Sequence, residues 1–377
     1  MTAKQSVDQA QRLVLAKLPG LGPARLRWLM SEGASVAEVI ESLKAGQLPP
    51  GLSPPRGAKG PELVRAWFAA ASSINPDDLL ESHRQKGVSV LGPESELWPF
   101  INDPEPPLLI TYAGNIGLLK SRPAVAIIGT RRCTTVGRKV AAKLGADLAE
   151  AGVAVVSGLA NGIDAASHMG ALKSQGTVLG VVGTGLDVVY PRSNRELWGQ
   201  VSNSGLLISE YPVGTTPENW RFPARNRLIA ALADIVVVVE SHTKGGSLHT
   251  VDEANDRGRI VMAVPGSVTS AASAGTNQLL VDGCSPARNA ADVLDALSIN
   301  TCSVSTRPSR PAVPDRQPLS LLQGLILAEV ETGGVHIDDL IQVAGISIVD
   351  LLALIQSMAQ AGLVALDGST VLPGANT

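Results

Sequence analysis

The chain has 377 residues, 45% of them hydrophobic and 17% charged, which is a globular rather than a disordered composition. Its net charge of −3 argues against a protein that coats nucleic acid by bulk attraction. No apolar run is long enough for a membrane span, the N-terminus lacks a secretory pattern, and three scattered cysteines give no zinc cluster or disulfide framework, so a reduced cytoplasmic protein without a cofactor is expected.

Charge is segregated along the chain. Residues 1–70 carry nine Lys/Arg against five Asp/Glu. This segment reads as a small helical domain, with a Pro/Gly-rich loop at 45–62. Within it, LPGLGPARLRWLM at 18–30 has the pattern of a helix-hairpin-helix module. Glycines permit the turn, Pro23 suits a helix start, and Arg25 and Arg27 follow. Two readings stand equal: an auxiliary DNA-phosphate contact, or a sterile-alpha-motif-like domain used for packing.

Residues 71–118 carry two bases against seven acids, and residues 119–297 seventeen against fifteen. Val/Ile-rich runs recur here: VAIIG at 125–129, VAVVSG at 153–158, TVLGVVG at 177–183, LLISEY at 206–211, DIVVVVE at 234–240 and RIVMAVPG at 259–266. Several are apolar on consecutive residues, which marks strands covered on both faces. Helical stretches separate most of them. The expected fold class is therefore α/β, a doubly wound, mostly parallel Rossmann-like sheet over 71–297, whose ligands bind beyond the carboxyl ends of the strands. Glycine concentrates at those ends: Gly129, Ser157-Gly158, Gly183-Thr184-Gly185 and Lys244-Gly245-Gly246-Ser247. Tight turns need glycine in any case, but several on one rim point to phosphate binding.

The common enzyme motifs are missing. There is no GxxxxGK[ST] loop, no GxGxxG and no GxSxG elbow. Asp164 and His168 stand four apart on a helical stretch, where capping or packing is the simpler reading than metal binding.

Aromatic residues are 3% of the chain, yet Tyr190, Trp198, Tyr211, Trp220 and Phe222 cluster within 190–222. WRFPARNR at 220–227 interleaves two rings with Arg221, Arg225 and Arg227. Arginines for phosphates and flat rings for base faces are the combination that holds single-stranded nucleic acid. Alternatively Trp220 packs in the core. Arg225 and Arg227 would point to different sides of a helix, so one of them is expected to be structural.

At these residues the sequence resembles the DNA-processing protein A (DprA, or Smf) family. The resemblance rests on WPFINDPEPPLLITYAGN at 98–115, IIGTRR at 127–132, SGLANGIDAASH at 157–168, GTGLDVVYPRSN at 183–194, SEYPVGTTP at 209–217, FPARNRLIA at 222–230, GGSL at 245–248 and AVPGS at 263–267. It implies an extended Rossmann fold that binds single-stranded DNA without catalysis. It further implies protection of incoming strands in natural transformation, loading of RecA recombinase, and a homodimer formed through the Rossmann domain. The implied DNA-binding residues are Gly129, Arg131 and Arg132 after the first strand, Ser157 and Gly158, then Phe222, Arg225, Asn226 and Arg227, and the Lys244, Gly245, Gly246, Ser247 turn. His249 stands where the family usually has a small residue, and Asn219 is neutral where some relatives are basic.

The alternative is a nucleotide-processing enzyme similar to the lysine-decarboxylase-like phosphoribohydrolases, whose mark is PGGxGTxxE. Aligned on Gly245-Gly246, that motif finds Lys244 for its proline, Leu248 for its glycine and Asp252 for its glutamate, with Glu253 one residue away.

Residues 298–318 are rich in Ser, Pro and Arg and read as a linker. Residues 319–377 hold six acids and no Lys or Arg. They read as three helices, at 319–332, 336–345 and 347–362, and then two short strands, the order of a winged helix like that of many DprA relatives. A DNA-reading winged helix needs basic side chains on its recognition helix. This one has none, so a protein-contact or regulatory module, or a DNA-repelling one, is expected.

Overall fold

Helices open the chain: α1 (Ala3–Lys17), α2 (Pro23–Leu29), α3 (Val36–Lys44), α4 (Gly60–Ser73) and α5 (Pro76–Gln85). This computed structural model describes residues 3–31, 33–52 and 60–305, with 326, 330, 335–337, 340–341, 348–360, 364–367 and 370–373. It divides into two units, Met1–Thr301 and Cys302–Thr377.

The helix starts follow from local chemistry. Ser35 and Glu38 form a reciprocal capping box on α3. Asn75 caps α5, with Pro76 in its first turn. The turn before α2 needs Gly20, whose φ is +63°. Buried Trp67 donates its indole N–H to the Pro19 carbonyl at 2.8 Å and packs with Val14, Leu15, Leu29, Val39 and Leu43. The helical module does not end at residue 70. α4 runs through Ser73, and the Asn75-Pro76 signal starts another helix that packs on α1.

The sheet contains β1 (Ser89–Leu91), β2 (Ile110–Gly114), β3 (Ala124–Ile128), β4 (Ala154–Ser157), β5 (Val178–Val182), β6 (Leu206–Ser209), β7 (Ile235–Val238), β8 (Ile260–Ala263) and β9 (Ser285–Pro286). Their order is β1-β2-β6-β5-β4-β3-β7-β8-β9. From β6 to β9 all pairs are parallel, with Val125 opposite both Val155 and Ile235. β1 and β2 add an antiparallel edge. The consecutive apolar residues divide between two cores. Val125 and Ile127 enter one, while Ala124, Ala126 and Ile128 enter the other. Full burial of each Val or Ile contributes about 1.5–3 kcal/mol, which is why these runs stay strands.

The crossovers are α6 (Thr135–Glu150), α7 (Ile163–Lys173), α8 (Arg195–Ser204), α9 (Arg221–Leu232), α10 (Leu248–Asn255) and α11 (Ala274–Val281). A last helix, α12 (Ala290–Ser305), runs into the segment expected to be linker. Nothing in SINTCSVS stops it, and the next proline is Pro308. The rest of that segment, 306–318, lies outside the described residues. From β3 the chain winds through β4 and β5 to β6, then returns to β7 on the other flank of β3. This reversal opens a crevice beyond the carboxyl ends of β3 and β7.

In the second unit, α13 (Ile348–Gln360) packs against β11 (Val364–Asp367), and β12 (Thr370–Pro373) pairs with both β11 and β10 (Val335–His336). Leu351, Ile355, Met358, Val364 and Val371 share its core. Val335 and His336 form a strand where a helix was expected to begin, because they pair with Val371 and Thr370.

Candidate functional site

The crevice holds a cavity of about 620 Å³. Its lining comes from the turn after β3 (Gly129, Thr130, Arg131, Arg132), the start of α7 (Ala160, Asp164), α9 with its approach (Asn219, Phe222, Arg225, Asn226), and the loop into α10 (His242, Gly245, Gly246, Ser247, His249). Residues distant in sequence are thus brought together as the glycine-rich rim suggested.

Arg131 and Arg132 are exposed. The Arg131 guanidinium lies 5.0 Å from the centre of the Phe222 ring. Arg225 is 5% exposed and reaches through α9 to the sheet. It donates to the carbonyls of Gly158, at 2.7 Å, and of Val181. A Cβ on residue 158 would fall 2.3 Å from this guanidinium, so a side chain there would displace it. Burial pushes Arg225 down to about 10, which leaves it protonated at neutral pH. Its Nε is buried and has no partner among the described residues.

The helix starts around the crevice are not equivalent. At α6, Glu240 accepts from the Thr134 amide at 2.8 Å and from its hydroxyl, while that hydroxyl accepts from the Gly137 amide. At α7, Asp164 accepts from the amides of Gly158 and Ala160 at 3.2 and 3.4 Å. Glu240 and Thr134 thus serve the start of α6, while Asp164, in the first turn of α7, ties down the loop that leads into that helix. At α10, Gly245, Gly246 and Ser247 line the cavity, and no side chain among the described residues caps the helix. A Cβ at 245 would meet the Ser241 hydroxyl at 2.5 Å, so a side chain there would push that hydroxyl aside. The Leu248 and Thr250 amides there donate to the Gly245 and Ser247 carbonyls, so an anion at that helix end would meet the Gly246, Ser247 and His249 amides. Burial raises Asp164 to about 6, a shift that Arg225 and Arg131 oppose.

Other expected residues sit elsewhere. Ser157 is fully buried and donates to the Ile127 carbonyl at 2.6 Å. Arg227 is 1% exposed and pairs with Glu210, so of the two arginines it is the structural one; it also donates to the Glu105 carbonyl at 2.7 Å. Lys244 is exposed outside the cavity lining. Trp220 does not enter the strand core. It stands edge-on to Tyr211 and covers Gly22, whose Cβ would lie 3.0 Å from the indole. Glu253 bonds Arg257 at 2.6 Å and does not line the cavity, so the enzyme motif's carboxylate is misplaced. His168 is buried on α7 below Asp164, and no group of metal-ligating residues occurs among the described residues. Asn219, His242 and His249 also line the cavity; Asn219 and His249 stand out in the sequence only as departures from the family pattern, and His242 carries no motif signal, only nearness to a turn.

A doubly wound sheet with an arginine-rich, anion-receptive crevice at its switch point defines a Rossmann-like binding protein. The sequence model of the family described as DNA recombination-mediator protein A matches residues 90–298. The chain is 31% identical to protein Smf of Synechocystis over 95% of its own length and 96% of that protein's. The X-ray structure of DNA processing protein A from Streptococcus pneumoniae superposes with a TM-score of 0.57 at 31% identity, over 73% of this chain and 98% of that one. A structure of DNA processing protein A from Helicobacter pylori, described for its single-stranded DNA binding mode, gives 0.51 at 30% identity, over 56% and 96%. The chain belongs to the DNA recombination-mediator protein A family, whose members are DNA-processing proteins of recombination. No helix among the described residues is long and apolar enough to cross a membrane.

Proposed function

We propose that this chain is a non-enzymatic single-stranded DNA-binding protein that protects incoming strands and loads RecA recombinase on them, as a homodimer formed through the Rossmann-like domain. The carrying observation is the crevice itself: exposed Arg131 and Arg132, the unpartnered Nε of Arg225, the open start of α10 and the half-buried Phe222 ring converge on one cavity. Cations and helix N–H groups hold phosphates, and rings hold bases. Family membership supports the recombinase and dimer parts of the reading.

The flanking segments serve other ends. The N-terminal hairpin is a packing element of sterile-alpha-motif-like kind: Arg27 pairs with Glu105, Arg25 bonds the Gly20 carbonyl at 2.6 Å, and Gly22 receives Trp220. The second unit is a winged-helix module that contacts protein. Ile348 and Leu352 are exposed on α13, and residues 319–377 carry no Lys or Arg.

Fluorescence anisotropy with a labelled single strand tests the reading. Arg131→Ala and Arg132→Ala should each weaken binding and reduce the log–log salt slope by about 0.7. Unchanged affinity in both variants would move the site off this crevice.

A further inference from the structure

The apolar run DIVVVVE ends on an acid, Glu240, just past β7 at the carboxyl end of the sheet. It is 6% exposed and does not line the cavity. It nevertheless meets both ends of the turn that carries Arg131 and Arg132. At the front of the turn, its main-chain carbonyl accepts from the Thr130 amide at 2.8 Å. At the back, its carboxylate accepts from the Thr134 amide at 2.8 Å and from the Thr134 hydroxyl. That hydroxyl accepts in turn from the Gly137 amide at 3.0 Å, which ties the end of the turn to α6. Between these two anchors, the Arg132 amide donates to the Thr130 hydroxyl at 3.2 Å.

An acid in this position works against an anion, because a negative charge behind the rim repels a polyanion in front of it. The fold nevertheless makes room for it. A Cβ at residue 137 would fall 2.2 Å from the Glu240 Cδ, so a side chain there would push the carboxylate aside. The Arg131 and Arg132 side chains are themselves exposed, so the backbone of this turn sets the direction in which they leave it. A binding loop that is already held in place spares the ordering cost on association.

We infer that Glu240 is a positioning residue for strand binding: it clamps the 130–134 turn at both ends and so holds Arg131 and Arg132 on the crevice, without touching the strand. The inference rests on the single-strand reading of that crevice. The sign of one substitution separates it from an effect of charge alone. Were Glu240 only a charge, its removal would tighten binding of a polyanion. As the clamp of the turn, its removal weakens binding even though a repelling charge has gone. Glutamine has the same shape, keeps an acceptor for the Thr134 amide and carries no charge, so it should keep the turn.

The test measures oligothymidylate affinity and its salt dependence with the full chain. Glu240→Ala should weaken binding by about threefold to thirtyfold and lower the log–log salt slope by up to about 1.4, the worth of two phosphate contacts. Glu240→Gln should bind at least as tightly as the unsubstituted chain. Gly137→Ala keeps the carboxylate in the chain but displaces it, and should weaken binding in the same direction; alanine suits a helix better than glycine, so α6 itself should hold. In a chain that carries both Arg131→Ala and Arg132→Ala, adding Glu240→Ala should cause no further loss, because the groups it positions are gone. Unchanged or tighter binding by Glu240→Ala, an equal loss in Glu240→Gln, or a further loss in the doubly substituted chain overturns the positioning role and leaves the crevice standing. Arg131→Ala and Arg132→Ala that both bind like the unsubstituted chain would instead overturn the single-strand reading of the crevice.

Discussion

Asp164 is an acid in the wall of a cavity suited to an anion. Burial raises its carboxyl to about 6, against the pull of Arg225 and Arg131. Losing its proton adds a negative charge beside the incoming phosphate. Affinity for single-stranded DNA should therefore rise as pH falls from about 8 to about 5. Asp164→Asn isolates the acid: its pH profile should be flatter than that of the unsubstituted chain, and coincident profiles would exclude the coupling. His168 has the opposite relation to folding. Burial lowers it to about 4, so its contribution to stability is present above the ordinary histidine range and is lost as pH falls from about 6.5 toward 4. His83, also lowered by burial, acts in the same direction. Between about pH 7 and pH 5, melting temperature should fall less in His168→Met than in the unsubstituted chain. At this scale the arginines were legible as a cluster but not as individuals. Arg225 and Arg227 differ by two positions on one helix, and only the neighbours they meet decide which faces the cavity.

Elements whose burial is complete could be read directly from the chain. β3, β4, β5 and β7 are buried at every position, so their apolar residues run without alternation. β1 and β9 were not legible: each is very short and borrows its strand state from pairing with the neighbouring strand, β2 or β8. The helix pair α6 and α7 shows the same limit for glycine. A Cβ on Gly170 would lie 1.9 Å from the Ala142 carbonyl oxygen, and one on Gly145 would lie 2.2 Å from that of Ser167. These glycines look like weak helix residues in sequence, yet they set how closely the two helices approach. Gly170→Ala should destabilise the chain by about 1–3 kcal/mol in urea unfolding, through overpacking. Gly199, inside α8, has no heavy atom within 4 Å of its added Cβ. Gly199→Ala should instead be neutral or stabilise by up to about 1 kcal/mol, because the unfolded chain loses more freedom. A similar loss in both variants would mean that contact at the helix crossing does not set the difference.

Across the whole molecule, charge follows the division into units. The segment 319–377, with six acids and no base, lies wholly within Cys302–Thr377, while the crevice lies wholly within Met1–Thr301. A tethered anionic module should oppose a polyanion without supplying any contact to it, and salt should screen that opposition. The N-terminal helices are different, because they are built into the unit that carries the crevice. Lys17 bonds the Val213 carbonyl at 2.9 Å, His83 accepts from the Val213 amide at 3.0 Å, and Gly22 lies under Trp220, two residues before Phe222. Truncation from the two ends should therefore have opposite effects. A chain ending at residue 305, the last residue of α12, should fold and bind a single strand at least as tightly as the full chain at low salt, with the difference vanishing as salt rises. A chain beginning at residue 86 would lose the Trp220 support and expose Val213, and should show weaker binding together with a lower melting temperature. Weaker binding by the chain ending at 305 would assign the acidic unit a share in holding the strand, against its composition.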